Sequence, residues 1–246
     1  MIYFISDVHL GIFERDKDIT RENKLLLLLD KISLDAEKIY LVGDIFDYWF
    51  DYKQVIPKYF YRTLAKLQHI KSNICDIEYL MGNHDFGHNG FFENEIKIKV
   101  FSEDIVRDHN NRKFYITHGD GKDKRDIGYL ALKKVLRNRF SLWLYLKFHP
   151  NFGIGIASGS SKKSRKYTDK KHFAEGDAMF DFAKMKIDEG YDYVIMGHRH
   201  KVGIQTYNNG VYLNIGDWIN SPTIACYDNN NLYHIYVDEY LKNGAY

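Results

Sequence analysis

The sequence of 246 residues has little of what stabilises small secreted or fibrous proteins. Two cysteines, Cys75 and Cys226, are too few for a disulfide framework and form no Cys-x-x-Cys pair. Three prolines and 18 glycines exclude a collagen-like or proline-rich chain. No apolar run approaches the roughly 18 residues of a spanning helix, and the first residues do not resemble a signal peptide. We therefore expect a cytosolic protein, or one that binds peripherally to a membrane.

The net charge of +2 conceals an uneven distribution of charge along the chain. Residues 122–171 contain fourteen Lys or Arg and three acidic residues, a net charge of +11, whereas the rest of the chain has a net charge of −9. A basic segment on an acidic body suits a partner with negative charge, such as a phosphate group, a nucleic acid or an anionic membrane. Tyr167 is the only aromatic residue in the basic run at 162–171, so this run lacks the aromatic alternation of single-strand binders, and we do not expect a nucleic acid partner.

Short apolar segments alternate with amphipathic ones over the first 80 residues. Strands are predicted at Ile2–Ser6, Lys38–Val42 and Ile77–Met81, with helices at Arg21–Ile32 and 56–68 between them. This alternation is typical of an α/β sheet built from strand–helix–strand units.

The second half of the chain is richer in strands. Alternating residues predict a strand at Ile96–Val100, and the chain is again β-rich after Gly203. We expect two sheets packed into one sandwich with helices outside. We also expect one domain, 1–246, interrupted by a helical insertion at 120–172.

Five short polar motifs follow predicted strands, where open α/β sheets place their functional sites. Their side chains supply imidazole, carboxylate and amide donors. The motifs are Asp7-Val8-His9, Gly43-Asp44-Ile45-Phe46-Asp47, Gly82-Asn83-His84-Asp85, His118-Gly119-Asp120 and Gly197-His198-Arg199-His200.

This donor set suits Mn, Fe or Zn and suits Ca or Mg poorly. Seven donors exceed the needs of one such ion and fit two ions roughly 3.5–4 Å apart that share a carboxylate. Two divalent ions outweigh the charges of Asp7 and Asp44, so the site should bind phosphate, and a bridging water would become hydroxide and attack phosphorus. The candidate metal ligands are Asp7, His9, Asp44, Asn83, His118, His198 and His200.

Other acidic residues lie outside these roles. Asp16, Asp18, Asp51 and Asp104 are expected to be solvated surface residues. Asp120 either supports the ligands around it or caps a turn, and the sequence leaves both open.

The five motifs, in this order over residues 7–200, resemble the calcineurin-like metallophosphoesterase superfamily. The resemblance implies a four-layer αββα sandwich of two mixed sheets, an α/β (α+β) fold with a helical lid insertion. It also implies that one metal binds the first motif, Asp44 and His200, and that the other binds Asp44, Asn83, His118 and His198. His84 would stabilise the leaving group, Asn83 would contact the phosphate, and Asp47 would orient His84.

A narrower resemblance adds a substrate. The segments Ser6–Gly11, Gly43–Trp49, Thr117–Gly121 and Ile215–Trp218 are similar to the UDP-2,3-diacylglucosamine diphosphatase family of lipid A biosynthesis, and so is the basic helical insert. The family releases UMP and 2,3-diacylglucosamine 1-phosphate from a lipid-linked nucleotide sugar. The resemblance favours Mn²⁺ and leaves Fe or Zn open. It implies an enzyme on the cytoplasmic face of the inner membrane.

The insert contains apolar residues with basic residues beside them, which suits a substrate that is half lipid, or an anionic leaflet. By resemblance to the family, the lid residues that would contact acyl chains are Leu136, Phe140, Trp143 and Leu146. The residues that would bind the rest of the substrate are Asp126, Tyr129, Ser161, Lys162, Arg165 and Lys166.

Three readings remain open on the sequence. The best-known diphosphatases carry Arg where this chain has His84, which leaves a metallophosphoesterase for a soluble nucleotide or phosphodiester as an alternative. A non-catalytic binding module on the same fold is a third reading, although all seven ligand positions are filled. The apolar stripe of the lid could instead pack on the body of the protein or on another subunit. The sequence does not specify the oligomeric state.

Overall fold

The computed structural model describes residues 1–156, 159 and 177–242, in which eleven strands form two mixed sheets. In the first sheet the order is β11-β10-β1-β2-β3-β4, with β1 to β4 parallel. Its strands are β1 (Ile2–Ile5), β2 (Lys38–Val42), β3 (Asp76–Leu80), β4 (Lys99–Phe101), β10 (Thr223–Tyr227) and β11 (Leu232–Tyr236).

The second sheet has the order β5-β6-β7-β9-β8, and its three central strands are parallel. Its strands are β5 (Ile105–His109), β6 (Arg112–Thr117), β7 (Tyr193–Met196), β8 (Gly203–Tyr207) and β9 (Gly210–Asn214).

Alternation along β1 shows how the layers are arranged. Phe4 packs into a core shared with Phe114 and Ile195 of the second sheet, so the two sheets lie face to face. Tyr3 and Ile5 point to the other face, where they pack with apolar residues of the helices on that side. Because successive side chains of a strand point to opposite faces, a strand buried on both sides is apolar throughout.

Helices cover the outer face of each sheet, so the predicted αββα layering is confirmed. Helices α1, α2 and α7 contribute to the core outside the first sheet, and α6 packs on the second sheet. The helices are α1 (Arg15–Ile32), α2 (Tyr61–Asn73), α3 (Ile127–Leu136), α4 (Arg139–Tyr145), α5 (described over 150–156), α6 (Ala178–Asp188) and α7 (Val237–Lys242).

Two predicted elements differ in the structure. The strand predicted at Ile96–Val100 is present only as β4, because Phe92–Ile96 forms a π-helical turn. Lys97 has a left-handed φ of 65°, which turns the chain so that Ile96 and Ile98 both reach the same core. Helix α1 begins at Arg15 rather than at Arg21.

The insert lies between β6 and α6. Helices α3 and α4 contain no buried residue, and most of their apolar side chains are exposed in the described structure, although the ring of Tyr145 packs on that of Phe50 of the body. None of the helices in the described ranges has the length and apolar character needed to cross a bilayer.

Candidate metal centre

Each of the five motifs follows the carboxyl end of a strand, as predicted. The motif segments follow β1, β2 and β3 of the first sheet and β6 and β7 of the second. The ligand atoms of three groups lie within 4.8 Å of one another in each group. The groups are Asp7, His9 and His200; His9, Asp44 and His84; and Asp44, His118 and His198.

The first group has the features of a cation site. The Nε2 atoms of His9 and His200 lie 3.3 Å apart, and Asp7 Oδ1 lies 3.7 Å and 3.3 Å from them respectively. Asp7 Oδ1 is buried and has no hydrogen-bond partner among the described residues. A buried carboxylate oxygen without a partner is costly, and a cation between these three donors would satisfy it. The donor set therefore fits a divalent ion.

The third group, Asp44, His118 and His198, joins the two sheets. His118 Nε2 lies 3.1 Å from Asn83 Oδ1 and 3.4 Å from Asp44 Oδ2. The ring of His198 lies 5.2 Å from that of His118. The structure thus brings together all seven side chains that the sequence singled out, with Asn83 placed by its contact with His118.

Asp44 lies between the first and the third group. Its Oδ2 atom is 3.7 Å from His9 Nε2, while the same oxygen is 3.4 Å from His118. The Oδ1 atom accepts a 2.8 Å hydrogen bond from the backbone N–H of His84. This fixes the carboxylate plane and leaves Oδ2 facing the ligands of both groups, which is the position of a shared ligand.

The rings of His118 and His9 each contact an acceptor oxygen through Nδ1, on the side away from the other predicted ligands. His118 Nδ1 lies 2.9 Å from the carbonyl oxygen of Val42. In the neutral ring, an Nδ1–H donor to that carbonyl leaves the lone pair of Nε2 facing the site. His9 Nδ1 lies 3.3 Å from Asp47 Oδ1, with both side chains fully buried. Such partners set the tautomer and orientation of metal-ligating histidines.

Asp47 has a wider role than the sequence indicated. The same Oδ1 atom lies 3.7 Å from His84 Nδ1, farther than its distance from His9. Asp47 therefore faces both the predicted ligand His9 and the predicted catalytic residue His84. The His84 side chain is 11 % exposed and that of His200 is 30 % exposed, so the centre opens to solvent on their side.

Carboxylates and imidazoles perturb each other strongly in this centre. Burial lowers the pKa of His9, but the neighbouring carboxylates of Asp47 and Asp7 outweigh it and raise the pKa to about 10. Burial also lowers the pKa of His118, but the charge of Asp44 outweighs it and raises the pKa to about 10. Burial and then the charge of His118 lower the pKa of His198 to about 4.

The backbone of the centre is strained. Positive φ angles between 51° and 66° occur at five of the seven predicted ligands. Left-handed backbone is uncommon outside glycine, and it is found mainly where function requires a particular side-chain direction. These ligands are Asp7, His9, Asp44, His198 and His200.

Two motif glycines are required by close approach of the chain. A Cβ atom at Gly82 would lie 2.1 Å from Asp44 Oδ1. At Gly197 it would lie 2.1 Å from Ser6 Oγ and 2.4 Å from Asp7 Oδ2. Any side chain at these positions would displace a predicted ligand carboxylate.

Several supporting residues were not assigned from the sequence. Asp85 accepts hydrogen bonds from the backbone N–H groups of Ile45 at 2.8 Å and Gly82 at 2.7 Å, so it ties two motif loops together. Arg21 donates to the carbonyls of Val8 and His9, both at 3.2 Å. The acidic fourth position of the Gly-Asn-His-Asp motif was the only signal for Asp85.

The prediction of surface positions was wrong for two aspartates. Asp18 and Asp51 are 4 % and 2 % exposed. Asp18 accepts a hydrogen bond from the N–H of Gly11 at 2.5 Å, and Asp51 accepts from Asn89 at 2.7 Å. These carboxylates are buried because each satisfies backbone donors of a loop next to the centre.

The predicted substrate residues divide into two sets. Asp126 caps α3 by accepting a 3.2 Å hydrogen bond from the backbone N–H of Tyr129. The Tyr129 ring lies 6.3 Å from that of His198, beside the metal centre. The other four lie outside the described residues: Ser161, Lys162, Arg165 and Lys166.

Three of the four predicted acyl contacts are exposed on the insert. The side chains are 45 % exposed at Leu136, 68 % at Phe140 and 54 % at Trp143. Phe140 and Trp143 stack with ring centroids 5.7 Å apart, and Leu146 is half-buried. The insert therefore presents an apolar surface, here called the lid surface, formed by these four residues.

The layered sheets and the cluster of imidazole and oxygen donors at their strand ends define a metal-dependent hydrolase. The family model for calcineurin-like phosphoesterases matches residues 1–202. The chain therefore belongs to the calcineurin-like phosphoesterase family, as the motif order predicted.

Curated relatives share the similarity over most of their length. A UDP-2,3-diacylglucosamine hydrolase of Porphyromonas gingivalis is 31 % identical over 250 residues, which cover 94 % of this chain and 95 % of the relative. A UDP-2,3-diacylglucosamine hydrolase of Pseudomonas entomophila is 30 % identical over 83 % of each chain. A solved archaeal phosphodiesterase aligns with a TM-score of 0.48 and 14 % identity, over 96 % of this chain and 98 % of that one.

Proposed function

We propose that the protein hydrolyses the pyrophosphate of UDP-2,3-diacylglucosamine to UMP and 2,3-diacylglucosamine 1-phosphate. The observation that carries this proposal is the exposed lid surface on an insert whose first helix packs beside the metal centre. A hydrolase for small soluble diesters has no need of such an apolar surface. The names of the relatives point to the same substrate.

The proposed ligands are the seven residues predicted from the sequence, with Asp44 shared. When bound, two divalent ions would neutralise phosphate charge and lower the pKa of a coordinated water, and Mn²⁺ is the proposed native ion. The native ion would be identified in two ways. Metal would be removed with a chelator, and the activity regained on adding Mn²⁺, Fe²⁺ or Zn²⁺ would be compared. The metal content of the protein as purified would also be measured. Greater recovery with Zn²⁺ or Fe²⁺ would contradict the choice of Mn²⁺.

His84 and Asn83 are the proposed catalytic side chains of the chain itself. His84 lies at the open side of the centre, and Asp47 faces its Nδ1 atom at 3.7 Å. An imidazolium in this position would stabilise the charge that develops on the departing oxygen. Asn83 would both hold a metal and orient a phosphate oxygen through its amide.

The insert is the proposed lid of a single domain, with boundaries at 120 and 172. Asp126 and Tyr129 would line the polar side of the substrate site, together with the predicted residues between 161 and 166. The lid surface would receive the acyl chains. We also propose that the enzyme binds peripherally to the cytoplasmic face of the inner membrane, because a basic segment with exposed apolar residues suits an anionic leaflet.

A comparison of three substrates tests the proposed reaction. Metal-loaded protein would be given micellar UDP-2,3-diacylglucosamine, UDP-N-acetylglucosamine or bis(p-nitrophenyl) phosphate. We expect UMP to appear selectively from the diacylated substrate. Equal or faster turnover of the small compounds would favour the alternative, a metallophosphoesterase for soluble nucleotides or diesters. No hydrolysis of any of the three would favour a non-catalytic binding module.

A lid variant tests the role of the lid surface. Replacing Trp143 and Leu146 by Ser should reduce turnover of the lipid substrate and leave hydrolysis of the aryl diester unchanged, because both side chains are on the insert. The matched control replaces Leu27 and Leu34, which are 59 % and 78 % exposed on the body, by Ser. Equal losses on both substrates would instead indicate that the lid surface serves folding.

A further inference from the structure

Helix α3 contacts the body through polar groups. Although it contains no buried residue, two of its side chains and that of its C-cap residue converge on the carboxylate of Asp120, which is 5 % exposed. The Oδ2 atom of Asp120 is 3.0 Å from the Tyr129 hydroxyl, 2.8 Å from Lys133 Nζ and 3.0 Å from Arg137 Nη2. Residues four apart share one face of a helix, so positions 129, 133 and 137 form a single polar stripe.

The accepting loop is part of the metal centre. Asp120 lies two residues after the proposed ligand His118. The helix packs closely on this loop, since a Cβ atom at Gly121 would lie 3.2 Å from Leu130 Cδ2. Lys133 adds a second hydrogen bond to the loop, at 2.9 Å from the backbone carbonyl of Asp120.

Arg137 makes a connection that the other two donors do not make. Its Nη2 atom also donates a 2.7 Å hydrogen bond to the carbonyl of Gly82. Its guanidinium carbon lies 5.9 Å from the ring of Phe86, at the other end of the same loop. One guanidinium thus joins the lid helix both to the loop after β6 and to the loop that carries Asn83 and His84.

We propose that Asp120 docks the first lid helix and that Arg137 is a positioning residue for the loop of Asn83 and His84. The proposal rests on the proposed phosphoesterase function for its catalytic consequence. A planar guanidinium presents several N–H donors in fixed directions, which suits two acceptors on different loops. Arg137 therefore couples the lid to the catalytic loop, and its bond to Gly82 positions the loop that carries His84.

The test compares Arg137→Met with Lys133→Met. Lys133→Met removes two contacts with Asp120, one with its carboxylate and one with its carbonyl. Arg137→Met removes one contact with the Asp120 carboxylate and is the only one of the two variants that removes the bond to Gly82. Hydrogen exchange of Ile127–Leu136 should rise in both, by about tenfold or more, as expected for loss of a hydrogen bond to a charged group. Exchange of residues 82–86 should rise only in Arg137→Met.

Kinetics on bis(p-nitrophenyl) phosphate give a second readout. This substrate has no acyl chain to reach the lid surface, so loss of docking alone should leave its hydrolysis within twofold in Lys133→Met. Arg137→Met should lower kcat by about tenfold with KM within twofold, because His84 acts after binding. Arg137→Lys keeps the positive charge but loses the planar set of donors. The hydrogen-exchange rate of Ile127–Leu136 should therefore return toward the wild-type rate, whereas the exchange rate of residues 82–86 should stay as high as in Arg137→Met.

The proposal would be overturned if Arg137→Met left the exchange of residues 82–86 unchanged. Equal loss of kcat in Arg137→Met and Lys133→Met would also overturn it, since a purely structural lid contact would explain that result. If Arg137→Met does not fold, the exchange of Arg137→Lys decides the same question. Exchange needs no turnover, so a wild-type protein that hydrolysed nothing would refute the proposed function and leave this test valid.

Discussion

Replacement of Gly197 by Ala tests whether close backbone approach shapes the first ligand group. Gly197 does not have a positive φ, so the backbone conformation itself allows alanine. The obstacle is space, because the added Cβ would lie 2.1 Å from Ser6 Oγ and 2.4 Å from Asp7 Oδ2. Ser6 cannot yield freely, since its hydroxyl donates to Asp7 at 2.7 Å and lies 2.8 Å from the carbonyl of Val42.

The expected cost follows from these contacts. Overpacking of a dense interior costs about 1–3 kcal/mol. Loss of a hydrogen bond to a charged group costs about 1.5–3 kcal/mol. We expect Gly197→Ala to lower the free energy of unfolding by about 3 kcal/mol, which for a chain of this size lowers Tm by about 6–12 °C. Because Asp7 must move, we also expect weaker binding of one metal.

The assay measures thermal unfolding of metal-free protein and metal stoichiometry after loading. Gly203→Ala is the matched control, since a Cβ at Gly203 has no atom within 4 Å, and it should change stability by less than about 0.5 kcal/mol. The double variant Gly197→Ala, Ser6→Ala should recover part of the lost stability, because it removes the clash with Ser6 Oγ. The recovery should be incomplete, because the clash with Asp7 Oδ2 remains. Wild-type Tm and metal content in Gly197→Ala would refute the steric argument.

Three further predictions concern the donors themselves. Asp44→Asn should abolish hydrolysis and lower metal content measured by mass spectrometry, because a shared ligand loses its charge; near-full activity would contradict the shared role. His84→Ala should keep both metals and lower kcat by about 10²–10³-fold, as for other single donors to a developing charge, and a change confined to KM would count against that role. With pKa values raised to about 10, His9 and His118 are protonated at pH 7, so metal loading should release about two protons and affinity should rise with pH toward 10. Calorimetry in buffers of different ionisation enthalpy would count these protons, and zero release would contradict the pKa assignment. The same raised pKa values stabilise the metal-free fold below pH 6.5, a contribution lost as pH rises through 10.

The sequence predicted which side chains meet at the strand ends because that signal is short-ranged. An apolar strand followed directly by Asp, His or Gly-Asp places those side chains at the carboxyl end of the strand, and parallel neighbours bring the ends together. Asp7 and Asp44 meet for this reason, since β1 and β2 are parallel and adjacent. The layering was predictable in the same way, because strands buried on both faces are uniformly apolar.

The start of α1 was not predictable from the apolar pattern. Two of its buried positions are acidic: Asp18 accepts from Gly11, and Glu22 pairs with Arg15 at 3.4 Å. A helix face that buries carboxylates does not show the helical periodicity of apolar residues. The apolar pattern of α1 therefore begins only at Leu25.

Contacts between distant segments were equally invisible. The contact of Asp47 with His9 and the docking of Arg137 on Asp120 depend on tertiary distances. A periodicity argument contains no information about such distances.

Backbone hydrogen bonds hold the left-handed conformation of the predicted ligands. Left-handed backbone at a non-glycine residue costs of order 1–3 kcal/mol and persists only where other contacts dictate it. Here those contacts are hydrogen bonds that avoid the ligand atoms: the N–H of Asp7 donates to Gly43 at 3.1 Å, and that of His9 donates to Asp44 at 2.9 Å. The ladder between the first two strands thus continues into their loops. Variants of this frame should therefore weaken metal binding through geometry alone, even though every donor remains in place.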